Sequence, residues 1–160
     1  MILIGIGANL PGPAGPPRST CLAALARLAA AGVTIVRQSR WIESAPQPPS
    51  SQPWFTNGVA LINTTLGPED LLALLHQVEA IFGRVRTVPN APRVLDLDLL
   101  SYYDIVRVAS PVLPHPRLHE RAFVVLPLAE VVPHWHHPVH GQTALQMAVI
   151  YPNDQPIRWP

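Results

Sequence analysis

The chain has 160 residues, of which 48% are apolar and 13% charged, and its formal net charge is +1. That length suits one domain with a sizeable core, the apolar content excludes a disordered chain, and so weak a charge balance excludes bulk attraction to nucleic acid. All 11 cationic residues are Arg, which excludes a P-loop lysine, a Schiff-base lysine and pyridoxal chemistry.

The single cysteine, Cys21, lies in an Ala/Leu-rich stretch and reads as a small core residue. The opening run Met1-Ile2-Leu3-Ile4-Gly5-Ile6-Gly7 has no basic region before it, and no apolar run nears the ~18 residues of a membrane span. The expectation is one domain over 1–160, soluble, cytoplasmic and monomeric, without a membrane or nucleic-acid partner. The 20 prolines cluster between periodic segments and read as stiffened loops.

In chain order, Ile2 to Ile6 predicts a short strand ending in the turn Gly7-Ala8-Asn9-Leu10. Arg18 to Ala31 predicts a helix stopped by Gly32. Val33 to Glu43 reads as one strand, with Val33, Ile35 and, after a slip in register, Trp41 pointing inward. A Pro-rich loop over 44–53 precedes a second long strand, Trp54 to Thr65, paired with it. Gly67-Pro68-Glu69-Asp70 opens a helix, with Pro in its first turn and acids at the positive end of its dipole. Its buried stripe runs from Leu71 to Phe82. Val94 to Tyr102 predicts a strand, turned by Tyr103-Asp104 into a short partner over 105–108. Phe123 to Val132 predicts a helix kinked or interrupted at Pro127; a short helix over 143–149 and an irregular end follow. The order β-α-β-β-α-β is the split, ferredoxin-like arrangement. The fold expected is therefore an α+β layer sandwich with a mostly antiparallel sheet.

Asp96 and Asp98 alternate with leucines inside a predicted strand, where Asp is depleted. Strand alternation puts both carboxylates on one face, ~6–7 Å apart. Either that face is simply solvated, or it gathers a hard divalent cation such as Mg²⁺, which takes one or two carboxylates and leaves its other positions to water and phosphate. Arg84, Arg86 and Arg93 stand just upstream in one Pro-containing loop, and guanidinium forks match phosphate oxygens. Metal on one side and guanidinium on the other is what a Mg²⁺–polyphosphate needs.

Further positions complete the pattern: Phe55-Thr56-Asn57, Glu79 ahead of Gly83-Arg84-Val85-Arg86, Leu113-Pro114-His115-Pro116 and Arg121-Ala122-Phe123. With Gly5-Ile6-Gly7-Ala8-Asn9-Leu10 and Pro92-Arg93-Val94-Leu95-Asp96-Leu97-Asp98-Leu99, they run in order along nearly the whole chain. In this the sequence resembles the 6-hydroxymethyl-7,8-dihydropterin pyrophosphokinase family. Those enzymes move pyrophosphate from ATP to the hydroxymethyl group of a pterin, releasing AMP, in folate biosynthesis.

The resemblance implies roles. Asp96 and Asp98 would bridge two Mg²⁺ ions holding the triphosphate of ATP, the co-substrate. Arg86 and Arg93 would grip the phosphates and join the two aspartates as the catalytic set, whereas Arg84 would be structural and paired to Glu79. The nucleotide would also meet Leu72, His76, Glu79, Leu99, His115 and Arg121. The pterin would stack between Phe55 and Phe123, within reach of Asn57, Asp96, Ser44, Ala45 and Pro46. The chain departs from the family pattern in an arginine loop that is short and has Asn90 near the place of a tryptophan. It departs also at Ala8, Ala91, Val112 and Pro116.

Two other classes stay open on the residues alone: a two-metal phosphohydrolase, and a non-enzymatic ferredoxin-like binding module. Separately, His134, His136, His137 and His140 crowd one short stretch, a pattern that could hold a transition metal.

Overall fold

The computed structural model describes residues 1–85, 88–151 and 154–160. Its centre is β1 (Ile2–Ala8), buried on both faces because its side chains alternate between two cores. Ile2, Ile4 and Ile6 face α1 (Pro17–Ala30) and α2 (Pro68–Ile81), with Cys21, Leu28, Leu71 and Leu75 closing over them. Leu3 faces the other way, toward α3 (Ala122–Val131) and α4 (Ala144–Val149), where Val125, Leu128 and Met147 form the second core. The result is an α+β fold with helices on both faces of the sheet.

The sheet also contains β2 (Thr34–Gln38), β3 (Ile42–Ser44), β4 (Phe55–Asn63), β5 (Asp96–Tyr102) and β6 (Ile157–Arg158). Among the described residues its order is β5-β1-β4-β3-β6, with β2 also pairing β4, and every neighbouring pair is antiparallel. The register sets Asp98 opposite Gly5 and Asp96 opposite Gly7, and Gly7 in turn opposite Asn57 of β4. Leu97 and Leu99 belong to the α1/α2 core, so alternation sends the two aspartates to the opposite face. There Gly5 and Gly7 present no side chain beside the carboxylates, and the room is taken instead by Leu100 over Gly5 and the Asn57 amide over Gly7.

The structure corrects several expected elements. The segment 33–43 is two strands, not one. Between them Ser39 takes over the pairing, its backbone N–H donating to the Val59 carbonyl at 2.9 Å while its Oγ accepts from Val59 N–H at 3.0 Å. This lets the Trp41 ring fold onto Gly58, where a Cβ would come within 2.7 Å of it. The β2–β4 register shifts between Ile35 and Arg37. The 105–108 segment is not a strand, because only Arg107 pairs, through two backbone bonds with Leu113. The helix over 122–131 runs through Pro127 without interruption. The end of the chain supplies β6 on the outer side of β3. No helix among the described residues is long and apolar enough to cross a membrane.

Candidate functional site

A cleft enclosing about 780 Å³, including its open mouth, lies on the sheet face that carries the aspartates. Ser44, Ala45, Pro46, Phe55, Asn57, Asp96 and Phe123 all line it, as do Arg93 and Arg121. Neighbouring rows of the sheet bring them together: Asp96 faces Gly7, Gly7 faces Asn57, and Phe55 faces Ser44. The buried Asn57 amide donates to Ser44 Oγ at 2.7 Å, which fixes its orientation and leaves one N–H and the carbonyl oxygen for other partners. A Cβ on Gly7 would stand 2.9 Å from that oxygen. Any side chain at position 7 would therefore displace the Asn57 amide from the place where Ser44 holds it.

The carboxylates sit in a web of guanidinium groups. Arg84 Nη1 contacts Asp96 Oδ1, Glu79 Oε2 at 3.1 Å and the Leu95 carbonyl at 3.2 Å. Arg93 Nη1 donates to Asp96 Oδ2 at 2.8 Å. The other Glu79 oxygen, Oε1, accepts from Leu97 N–H at 3.0 Å, so this buried acid locks the end of α2 to β5. Burial pushes Asp96 up, but Arg93 and Arg84 more than offset it and hold the carboxyl below its ordinary range. Asp98 goes the opposite way: burial first, and the neighbouring Asp96 charge second, push it up to about 7. Its cation, Arg121, stands 3.8 Å away and lies over the Phe123 ring. Burial likewise disfavours the charge on Arg121, which Asp98 only partly restores.

Two further residues, given no separate role by the sequence, brace the cleft, Asn9 from behind its wall and Gln155 on it. Asn9, 1% exposed, donates through Nδ2 to Gln52 Oε1 and the Pro53 carbonyl, each at 3.0 Å, while its Oδ1 accepts from Arg93 N–H at 2.8 Å. It thereby ties the 44–53 loop to the arginine loop, a tie doubled by Gln52 Nε2 donating to the Asn90 carbonyl at 2.8 Å. Gln155 bridges the start of α3, accepting from Ala122 N–H at 2.6 Å and donating to the Glu120 carbonyl at 2.7 Å. It lines the cleft together with Gln52, Asn90 and Arg117.

Other expected site residues lie outside the cleft wall. Leu72 is half-buried and His76 exposed on α2, the Leu99 side chain belongs to the α1/α2 core, and Glu79 is committed to Arg84 and Leu97. His115 is anchored by its N–H on the Leu100 carbonyl at 2.8 Å, and its Nδ1 accepts from Arg117 N–H at 3.2 Å. Burial first, then Arg121, lower its pKa to about 4, leaving a neutral ring. Arg86 lies outside the described residues. The histidine stretch also divides: His137 and His140 cluster with His119, which the sequence pattern overlooked, and His134 and His136 do not join them.

A family model described as 7,8-dihydro-6-hydroxymethylpterin-pyrophosphokinase matches residues 3–133. The chain is 38% identical over 147 residues to a 2-amino-4-hydroxy-6-hydroxymethyldihydropteridine pyrophosphokinase from Synechocystis sp., covering 91% of this chain and 73% of that protein. It is 38% identical over 132 residues to a protein of the same name from Methylorubrum extorquens, covering 81% of each. It is also 36% identical over 141 residues to the folic acid synthesis protein fol1 of Pneumocystis carinii, where 88% of this chain spans only 18% of that protein.

Proposed function

The chain belongs to the 7,8-dihydro-6-hydroxymethylpterin-pyrophosphokinase family, and from that premise we propose that its cleft takes the pterin while Asp96, Asp98 and the surrounding arginines take the tail of ATP. The activity is ATP-dependent pyrophosphoryl transfer to a pterin in folate biosynthesis. The ferredoxin-like reading of the fold is supported by the sheet order: with β2 and β3 taken as one interrupted strand, it becomes fourth-first-third-second, antiparallel throughout. We read 1–160 as a single domain, since β6 pairs with β3 of the same sheet.

The observation that carries the assignment is that one cleft gathers aromatic, amide and carboxylate side chains around Asp96. Phe55 and Phe123 offer faces to a flat heteroaromatic ring. Asn57, held by Ser44, keeps a donor and an acceptor for the amide-like edge of the pterin. The hydroxymethyl group would then project toward Asp96.

Asp96 and Asp98 fit Mg²⁺ as hard oxygen donors on one sheet face, and the poorly compensated charge of Asp98 favours a cation there. A metal at Asp96 competes with the two guanidinium groups there, and Arg93, with 28% of its side chain exposed against 11% for Arg84, is the freer of the two to give way. Bound Mg²⁺ supplies neutralisation of the phosphate charge and fixes the triphosphate. Arg93, once released, is placed to take up charge on the phosphates, with Arg86 as its expected companion. Arg84 stays with Glu79 and Asp96 as the rigid support. Arg121 counters Asp98 and covers Phe123, coupling the phosphate end of the site to the pterin end. Neutral His115, with Nδ1 already accepting a bond, offers Nε2–H as a donor to the nucleotide. In this scheme catalysis is positioning and electrostatics rather than covalent chemistry.

The test is equilibrium binding of the pterin alcohol to Asn57→Leu and Phe123→Ala variants. Each is expected to weaken binding roughly tenfold, Asn57→Leu because the pterin's edge loses a buried hydrogen-bond partner at about 1–3 kcal/mol, and Phe123→Ala because a stacked aromatic face and the area it buries are lost. Unchanged pterin affinity in both variants would remove the cleft from the scheme.

A further inference from the structure

Outside the residues that line the cleft, three imidazoles from two turns converge. His119 comes from the short 3₁₀ turn Leu118–Glu120, and His137 and His140 from the tight turn after Trp135. The ring centroids are 4.4 Å apart for His119–His140, 4.5 Å for His137–His140 and 5.7 Å for His119–His137. One ring nitrogen from each lies within 4.8 Å of the others.

Two ring nitrogens of the cluster are buried without a hydrogen-bond partner among the described residues: His119 Nδ1 and His137 Nε2. A buried polar atom left unpaired costs about 1–3 kcal/mol, and His137 is only 3% exposed. His119 Nε2 lies 3.8 Å from Glu120 Oε1, beyond hydrogen-bond distance but near enough for that carboxylate to serve as the outer partner of a ligating ring. Its Nδ1 is the buried, unpartnered nitrogen.

From this juxtaposition we propose that His119, His137 and His140 bind one borderline divalent transition ion of the zinc class, with a fourth position left to water. An all-imidazole donor set suits such an ion and does not suit Mg²⁺, which selects oxygen. The site is thus separate in chemistry as well as place from the aspartate face. Nitrogens ~2.0–2.1 Å from a tetrahedral zinc stand ~3.4 Å apart, so closure draws ring nitrogens now up to 4.8 Å apart together by as much as ~1.4 Å, with the exposed His140 and the half-buried His119 moving onto the buried His137. One rearrangement accompanies it. His137 Nδ1 now accepts from Val139 N–H at 3.2 Å and His140 N–H at 3.1 Å, so the neutral ring carries its proton on Nε2. When the metal takes Nε2, that proton moves to Nδ1, and the two backbone N–H groups, now held in part-buried bonds, must turn away from the ring to water. The ion would pin the turn that leads directly into Arg121 and α3.

The deciding experiment titrates Zn²⁺ into the full chain, with Mg²⁺ in excess, following heat and amide exchange together. The expected result is uptake of one equivalent, faster exchange at Val139 and His140 on binding, and roughly tenfold or greater weakening in His140→Ala and in His119→Gln. The His134→Ala, His136→Ala double variant should bind as the natural chain does. Because His137 is buried, the exposed His140 carries the main substitution and loss of folding does not obscure the answer. Absence of uptake, or equal loss in the His134/His136 variant, overturns the proposal, as does slower or unchanged exchange at Val139 and His140.

Discussion

Asp96 and Asp98 share one face of β5 with a single residue between them, yet their carboxyl groups are displaced in opposite directions. Two guanidinium groups hold Asp96 ionised, while burial and the Asp96 charge raise Asp98 to about 7. The protein therefore keeps one carboxylate paired with two guanidinium groups and leaves its neighbour with Arg121 at 3.8 Å, which only partly offsets its burial.

That imbalance has a pH signature. An acid raised in the folded state contributes stability when protonated, and the contribution is lost as pH climbs from the ordinary carboxylate range to about 7. Asp98→Asn removes the penalty. Calorimetry of the unliganded chain is expected to show a higher melting temperature for Asp98→Asn than for the natural chain, with the gap wider at pH 8 than at pH 4. Mg²⁺ with ATP should raise the melting temperature of the natural chain at pH 8 and do little for the variant.

Arg84 and Arg93 touch the same carboxylate but should fail differently. Arg84→Ala strands Glu79, 2% exposed, and Asp96 beside each other. Breaking such a buried pair costs about 3–5 kcal/mol, readable as a lower urea midpoint. Arg93→Ala removes a more exposed group and should cost about 1 kcal/mol or less. Its effect should appear in kcat more than in the KM for ATP, the mark of an interaction made in the transition state.

Much of this was legible in the sequence because the informative residues lie in local patterns. Pro68 with Glu69 and Asp70 marked the start of α2, and the alternation of Asp and Leu marked β5. The slip that turns Trp41 inward was readable too, although the two-strand break around Ser39 was not, since Ser39 pairs with Val59 and Trp41 packs on Gly58, both on a partner strand. What stayed hidden depends on long-range pairing. The two residues of β6 have no strand pattern of their own and form only against the open side of β3. Asn9 reads as a turn residue until Gln52 and Arg93 arrive from distant loops, and His119 joins His137 only through folding.

Gly7 gives a steric prediction. Gly7→Ala places a methyl 2.9 Å from Asn57 Oδ1, and overpacking of this kind costs about 1–3 kcal/mol. Since the displaced group is the proposed pterin clamp, fluorescence titration should show pterin affinity reduced about tenfold or more, with nucleotide affinity little changed.

Gln155 tests the contribution of the chain's end. Gln155→Ala leaves Ala122 N–H and the Glu120 carbonyl without the partner that now bridges them. The expected outcome is about 1–2 kcal/mol of lost stability and a several-fold rise in the KM for the pterin, while the KM for ATP stays near its natural value. Steady-state kinetics with each substrate varied in turn would check it.

The most direct measurement is AMP release from ATP with and without the pterin alcohol, made on the natural chain and on Asp96→Ala and Asp98→Ala. Release should require both Mg²⁺ and the alcohol and should fall by about a thousandfold, some 4 kcal/mol, in each variant. Release that survives both substitutions, or that runs as fast without the alcohol, would contradict a carboxylate face that directs the triphosphate to a pterin.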